Sequence, residues 1–221
     1  MAQEIAVEQP RWTILSNLAR HSSDVFPNLE TQQDNRARIL DAAASAFREK
    51  GYRASIDDIA ARAGVVRQTV YNHFERKELL FRDVIRNAVQ SILVNLEVAE
   101  GDLRESLVAF AAALRAKALG SDGVAMFRAI VAEAPRFPEL ASSFFHEGPD
   151  HTAHTLAAFL AKAMEAGKLR RDDPLFAAEM LLGMLLGHDR MRGLFNLETG
   201  LGDDTARIEK IIDCFLHAYK R

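Results

Sequence analysis

Apolar residues recur at three- and four-residue spacing along most of the chain, and glycines stand where those runs stop. That rhythm admits helices and little else. No segment sustains the two-residue alternation of a half-buried strand, so no strand is expected. Gly51, Gly101, Gly120 and Gly167 fall at the ends of helical runs, where glycine closes a helix at no steric cost. Ser55 with Asp58, and Asp102 with Glu105, have the spacing of helix-opening capping boxes. Asp173-Pro174 is an N-cap followed by proline at the first helical position. The pattern predicts an all-α fold of about nine helices, over 35–50, 56–63, 67–74, 78–99, 103–119, 122–134, 150–167, 174–193 and 204–219, with a short additional helix over 138–146. Residues 1–33 carry Pro10, Pro27 and the only tryptophan, Trp12. They read as an N-terminal extension, helical in part at 12–20 and otherwise disordered.

Three short helices open the remainder. In "RILDAAASAFREKGY" Ile39, Ala43 and Phe47 share one helical face. In "SIDDIAARAGV" Ile56, Ile59, Ala60 and Ala63 form the inner side, and Gly64 breaks the chain. The next stretch, "VVRQTVYNHFERKELL", is different. Only Val66, Val70, Phe74, Leu79 and Leu80 can anchor it; Val70 and Phe74 supply a thin apolar strip, and the other side chains from Arg67 to Glu78 offer hydrogen bonds. Two short helices around a tight turn, the second one polar, form a helix-turn-helix. A helix that enters the DNA major groove needs this division: a narrow strip to hold it and donors toward bases and phosphates. Arg67 suits guanine; Gln68 and Asn72 suit adenine; Thr69, Tyr71 and His73 can reach phosphates. Lys77 stands near the start of the following helix, whose N-terminus adds positive potential.

Net charge is −3, which by itself argues against nucleic acid. The average hides an asymmetry. Residues 34–82 hold ten Lys/Arg against seven Asp/Glu, and the rest of the chain holds 18 against 24. Local charge governs what a surface attracts.

The run "RILDAAASAFREKGY…SIDDIAARAGVVRQTVYNHFERKELL" closely resembles the N-terminal domain of TetR/AcrR-family transcriptional regulators. The resemblance implies a DNA-binding head at 34–80 and a ligand-binding and dimerisation domain at 81–221. It implies that Ser55 caps its helix and reaches a phosphate, and that Thr69, Tyr71, His73 and Lys77 hold the DNA backbone. Arg67, Gln68 and Asn72 then occupy the base-reading positions. One departure is plain: Val66 replaces the serine that usually caps the recognition helix, a loss of about 1 kcal/mol of capping. Further on, "FRAIVAEAPRFPELASSFFHEGPD" resembles the C-terminal domain of the AefR-like branch. The family implies a cytoplasmic homodimer on a palindromic double-stranded operator, more often a repressor than an activator, released by a small effector.

The C-terminal part carries two very apolar helices. Leu181, Leu185 and their neighbours surround Gly183 and Gly187, and the last helix offers Ile211 and Phe215. A helix apolar all round needs cover on every side, so these six residues are the expected dimer interface. Phe127, Phe145, Met164, Met180 and Met184 suit either plain core packing or an adaptable cavity, and the family resemblance implies the latter, as the wall of a pocket for a small hydrophobic effector. His146, His151 and His154 lack the spacing and cysteines of a zinc module, and neither a metal nor another cofactor is expected. No phosphate-cradling glycine loop, G-x-S-x-G or H-E-x-x-H occurs, which argues against an enzyme. The single cysteine, Cys214, fits a reducing cytosol. The longest fully apolar run, "MLLGMLLG", is far too short for a membrane span. Two rivals share this fold: a ligand-binding helical dimer that no longer binds DNA, and an enzyme built on the histidine cluster.

Overall fold

The computed structural model describes residues 27–97, 102–197 and 204–220. They form ten α-helices and no strand among the described residues. The helices are α1 (Pro27–Lys50), α2 (Ile56–Ala63), α3 (Arg67–His73), α4 (Lys77–Glu97), α5 (Leu103–Leu119), α6 (Ser121–Glu133), α7 (Pro138–Phe145), α8 (His151–Glu165), α9 (Pro174–Leu194) and α10 (Asp204–Ala218). The helix expected over 12–20, and Gly101 as a helix end, lie outside the described residues.

The first helix starts at Pro27, eight residues before the predicted 35. Proline supplies a pre-set φ at the opening of a helix, and residues 28–35 hold a single apolar residue, Leu29, so their sequence carries no helical periodicity. Inside the head, Ile39, Ala43 and Phe47 of α1 are fully buried against Ile59 of α2, Val70 of α3 and Leu80 of α4. The Ser55 hydroxyl accepts the Asp58 N–H at 3.1 Å, as the capping box requires. The reciprocal half is absent. The Asp58 carboxylate turns to Lys50 at 2.9 Å and Arg62 at 3.3 Å instead. Gly64 closes α2 in the left-handed conformation, with φ at +65°. A Cβ there would also lie 2.7 Å from the Arg38 guanidinium, which donates to the Ala63 carbonyl at 2.6 Å. This sharp turn sets α3 across α2.

Helix α4 runs 21 residues, about 31 Å at 1.5 Å per residue. Leu80 and Phe81 lie in the head core, and Val89, Ile92, Leu93 and Leu96 continue into the core of the larger domain. One apolar cluster therefore spans both parts. Three further contacts join them. Arg48 meets Asp122 at 2.6 Å, and Arg53 meets Glu133 at 2.8 Å. Gly51, at φ +58°, brings the chain so close to α6 that a Cβ would stand 3.2 Å from that of Ala129.

Between α7 and α8 the chain does not break. Residues His146–Asp150 make a π-helical turn that carries Pro149. Proline lacks the N–H that an α-turn would use, and a widened turn accommodates it. The Thr152 hydroxyl donates to the Gly148 carbonyl at 2.8 Å.

Candidate nucleic-acid interface and cavity

Helix α3 rests on Val70, which is fully buried, and ends at Phe74, which is nearly so. Val66 opens it with no side-chain cap; its carbonyl accepts the Thr69 N–H at 2.9 Å. Arg67, Gln68 and Asn72 are all exposed on the outer face. Arg67 donates to Asp57 of α2 at 2.7 Å and to the Tyr71 hydroxyl at 3.4 Å, with its guanidinium over the Tyr71 ring. The Gln68 amide donates to the Asn72 side-chain oxygen at 3.0 Å. The three expected base readers are thus held by weak surface contacts. Exposed ion pairs contribute little, because water compensates either partner, so a base or phosphate can replace Asp57. Thr69, Tyr71 and His73 are half-buried along the flanks of α3.

Lys77 is placed differently. Its ammonium donates to the Tyr52 carbonyl and lies 4.2 Å from the Tyr52 ring centroid. Burial lowers its pKa. Tyr52 in turn packs against Phe47, Phe81 and Phe137, and its hydroxyl donates to Glu78 at 2.6 Å. Burial raises the tyrosine pKa, and the Tyr52 hydrogen bond lowers that of Glu78. Lys77 therefore belongs as much to the joint between head and body as to the outer surface. Most of the other head cations are also paired. Arg36 meets Asp83 at 2.6 Å, and Arg62 meets Glu49 at 2.7 Å. The sequence count of positive charge therefore overstates what stands free.

A cavity of about 1020 Å³ lies in the larger domain against the head. Its walls come from α1, α4, α5, α6, α7, α8 and α9 and from the π-turn. Of the five expected pocket residues only Phe127 lines it. Phe145 and Met184 are exposed, Met164 is buried in the core, and Met180 packs against that core outside the cavity. Composition identified the right kind of residue, but helix rotation put Met126 and Phe144 on the wall instead. The wall also includes Asp41, Ala44 and Arg48 of α1, a helix of the head.

The expected dimer interface needs correction too. Leu181, Leu185 and Phe215 are fully buried within the single chain, so they present no surface to a partner. Helix α9 is apolar on three faces for three reasons. Leu181 and Leu185 face the core; Leu182, Gly183, Leu186 and Gly187 face the cavity; Phe176, Met184 and Met191 lie exposed. A Cβ at Gly183 or Gly187 would meet nothing within 4 Å. Ile211 is half-buried on α10.

The histidines have local roles. His146 Nδ1 lies 3.4 Å from the Asp150 carboxylate, and His154 Nδ1 lies 2.9 Å from the Asp150 carbonyl. Among the described residues no three potential metal ligands converge. No described helix is long and apolar enough to cross a membrane.

Residues 39–84 match the model for bacterial regulatory proteins of the tetR family, and residues 105–221 match the AefR-like transcriptional repressor C-terminal domain. The chain belongs to the TetR family. This TetR-family chain is similar to the solved structure of the flavonoid-responsive regulator FrrA, at 32% identity and a TM-score of 0.63, covering 84% of this chain and 97% of that one. It is similar to a TetR-family regulator from Mesorhizobium loti, at 28% identity and a TM-score of 0.70, covering 86% and 98%. Its curated relatives match over shorter stretches. The HTH-type transcriptional repressor KstR2 of Rhodococcus jostii is 36% identical over 58 residues, 26% of this chain and 28% of that protein. The HTH-type transcriptional activator FasR of Mycolicibacterium smegmatis is 33% identical over 69 residues, 31% and 32% of the two chains. The chain thus matches less than a third of the length of these curated relatives. These TetR-family relatives are transcriptional regulators, not enzymes.

Proposed function

We propose that this TetR-family chain is a cytoplasmic, ligand-responsive repressor that binds a palindromic operator as a homodimer. The observation that carries the reading is the outer face of α3, where Arg67, Gln68 and Asn72 stand exposed on a helix anchored only through Val70 and Phe74. Arg67, Gln68 and Asn72 read bases; Ser55, Thr69, Tyr71 and His73 meet phosphates, with Lys77 joining them if it leaves Tyr52. Both a repressor and an activator occur among the relatives; repression is preferred because the AefR-like repressor domain covers 105–221.

The effector enters the cavity. Its wall includes Ala44 and Arg48 of α1, so an occupant touches the head directly, and the Arg48–Asp122 pair ties that wall to α6. Occupancy releases DNA only if it favours a head spacing other than the one DNA selects, typically by about 1–3 kcal/mol. The relative FrrA responds to flavonoids by its printed name, which favours an aromatic effector. The homodimer forms through the exposed apolar residues of α9, Phe176, Met184 and Met191, with Ile211 of α10. The test selects bound fragments from genomic DNA with the purified protein, then titrates salt on the recovered site. Steeply salt-dependent binding to one repeated palindrome is expected. A soluble dimer that retains no fragment would instead identify a ligand-binding protein without an operator.

A further inference from the structure

The cavity wall is mostly apolar, yet one cation on it lacks a partner. Arg190 of α9 stacks over the Phe127 ring, 4.6 Å from its centroid. Its Nε is buried and without a hydrogen bond. Only one other buried guanidinium nitrogen among the described residues shares that condition, Arg82 Nε. Arg82, however, lies 3.9 Å from the carboxylates of both Asp83 and Glu147. Arg190 has no such neighbour among the described residues. On α5, Arg115 shows what a satisfied arginine looks like here: it bonds Asp189 at 2.9 Å, Asp204 at 2.6 Å and the Leu185 carbonyl. Burial lowers the pKa of Arg190. The remaining charges on the wall do not answer it. Asp122 is engaged by Arg48, and Asp41 and Lys117 are both exposed to water, where their opposite charges offset each other. Lined by three cations and two carboxylates, the cavity favours an anion, and a guanidinium in a water-poor, apolar place binds an acid strongly.

We propose that the cavity takes an amphipathic organic anion, its acidic group seated on the Arg190 guanidinium and its aromatic or aliphatic body against Ile85, Ile92, Phe144, Leu182 and Leu186. This rests on the reading of the cavity as the effector site and adds the chemical class. A volume of about 1020 Å³ is at the upper end of small-molecule sites, so the body holds several rings or a long chain. Phe127 holds the cation from one face and leaves its edge, where the N–H groups point, for the acid. The arginine thereby selects against neutral hydrocarbons that the same walls would accept.

The test pairs two fluorescent probes that share their rings. Anilinonaphthalene sulfonate is anionic, and phenylnaphthylamine lacks the sulfonate. The native protein is expected to bind the sulfonate about tenfold more tightly than the neutral amine or better, the range of a charge-assisted hydrogen bond. Arg190→Met removes that preference while still binding the amine, and Arg190→Lys restores part of it. Gly187→Trp fills open space on the wall and weakens both probes. If Arg190→Met leaves the sulfonate preference intact, the anchor proposal is wrong and the effector cavity stands. If Gly187→Trp changes neither probe, or neither binds the native protein, the cavity is not a ligand site and both readings fall.

Discussion

Arg62 and Arg67 of the head hold their carboxylates at the surface, on Glu49 and Asp57, each at 2.7 Å. Arg115 of the larger domain holds Asp189 at 2.9 Å with 1% and 4% of the two side chains exposed. The contrast separates two uses of one residue type. A surface pair can exchange a carboxylate for a phosphate or a base edge, because water makes up the difference throughout. A buried pair cannot, because removing one partner strands the other in a low dielectric. Arg62 and Arg67 can therefore change partners and Arg115 cannot, although the body also carries exposed pairs such as Arg104–Asp213. Arg190 is the exception within the body, desolvated like Arg115 yet unpaired.

The strongest way to break this comparison is to charge the buried side of α9. Leu185→Glu places a carboxylate where the native side chain is fully buried. It is expected to cost several kcal/mol and to leave no folded chain. Met184→Glu, on the exposed face, should leave the circular dichroism spectrum unchanged; a shift to monomer in light scattering would locate the partner surface there. A cooperative native melt for Leu185→Glu would show that the described packing of α9 is wrong.

Next in size is Arg115→Met. It leaves Asp189 with Arg207 alone, 3.5 Å away, and a loss toward the lower end of about 3–5 kcal/mol is expected in urea unfolding. Adding Asp189→Leu should recover part of it. A loss below about 1 kcal/mol would put this network in the same class as the exposed pairs.

Arg67→Ala is expected to leave thermal stability unchanged and to lower discrimination at one base pair per half-site by roughly 5- to 150-fold. Lys77→Ala should weaken cognate and random DNA alike and reduce the salt dependence by about one phosphate per half-site. It should also lower stability, because Lys77 packs on Tyr52. Lost stability with an unchanged salt slope would assign Lys77 to the joint alone.

The smallest effect sharpens the boundary between the two regions. Tyr52→Phe removes the 2.6 Å bond to Glu78 and should cost about 1 kcal/mol at neutral pH. Glu78 titrates below the usual carboxylate range, first because of that hydrogen bond. Its contribution is complete above the unfolded pKa and disappears as pH falls through the lower folded one. The native protein and Tyr52→Phe should therefore differ at neutral pH and converge in acid. A difference that persists in acid would mean that the hydroxyl acts without the carboxylate.

The sequence made the head legible for a local reason. Ser55, Gly64, Val70 and Phe74 specify caps, a turn and a strip within a few residues of one another, and the structure uses each of them that way. The polar outer face of α3 follows from the same short stretch. Phe127 lines the cavity as expected, but Phe145, expected on the same ground, is exposed, so residue type alone placed neither. Arg190 left a signal that could have been followed: a cation one turn beyond Leu186 and two beyond Leu182, on the same helical face.

By itself, then, the sequence determined the helical architecture, the turn between α2 and α3 and the polar outer face of α3, since capping, glycine turns and amphipathic spacing act over less than three helical turns. Only the tertiary structure decided which face of α9 meets the core, which meets the cavity and which meets solvent. Leu181, Leu182 and Met184 are equally apolar in sequence, and they separate only when α5, α6, α8 and α10 take their places around the helix. It alone put α1 on the cavity wall, and it alone paired Arg115 while leaving Arg190 without a partner, because both outcomes depend on residues 70 or more positions apart meeting in space.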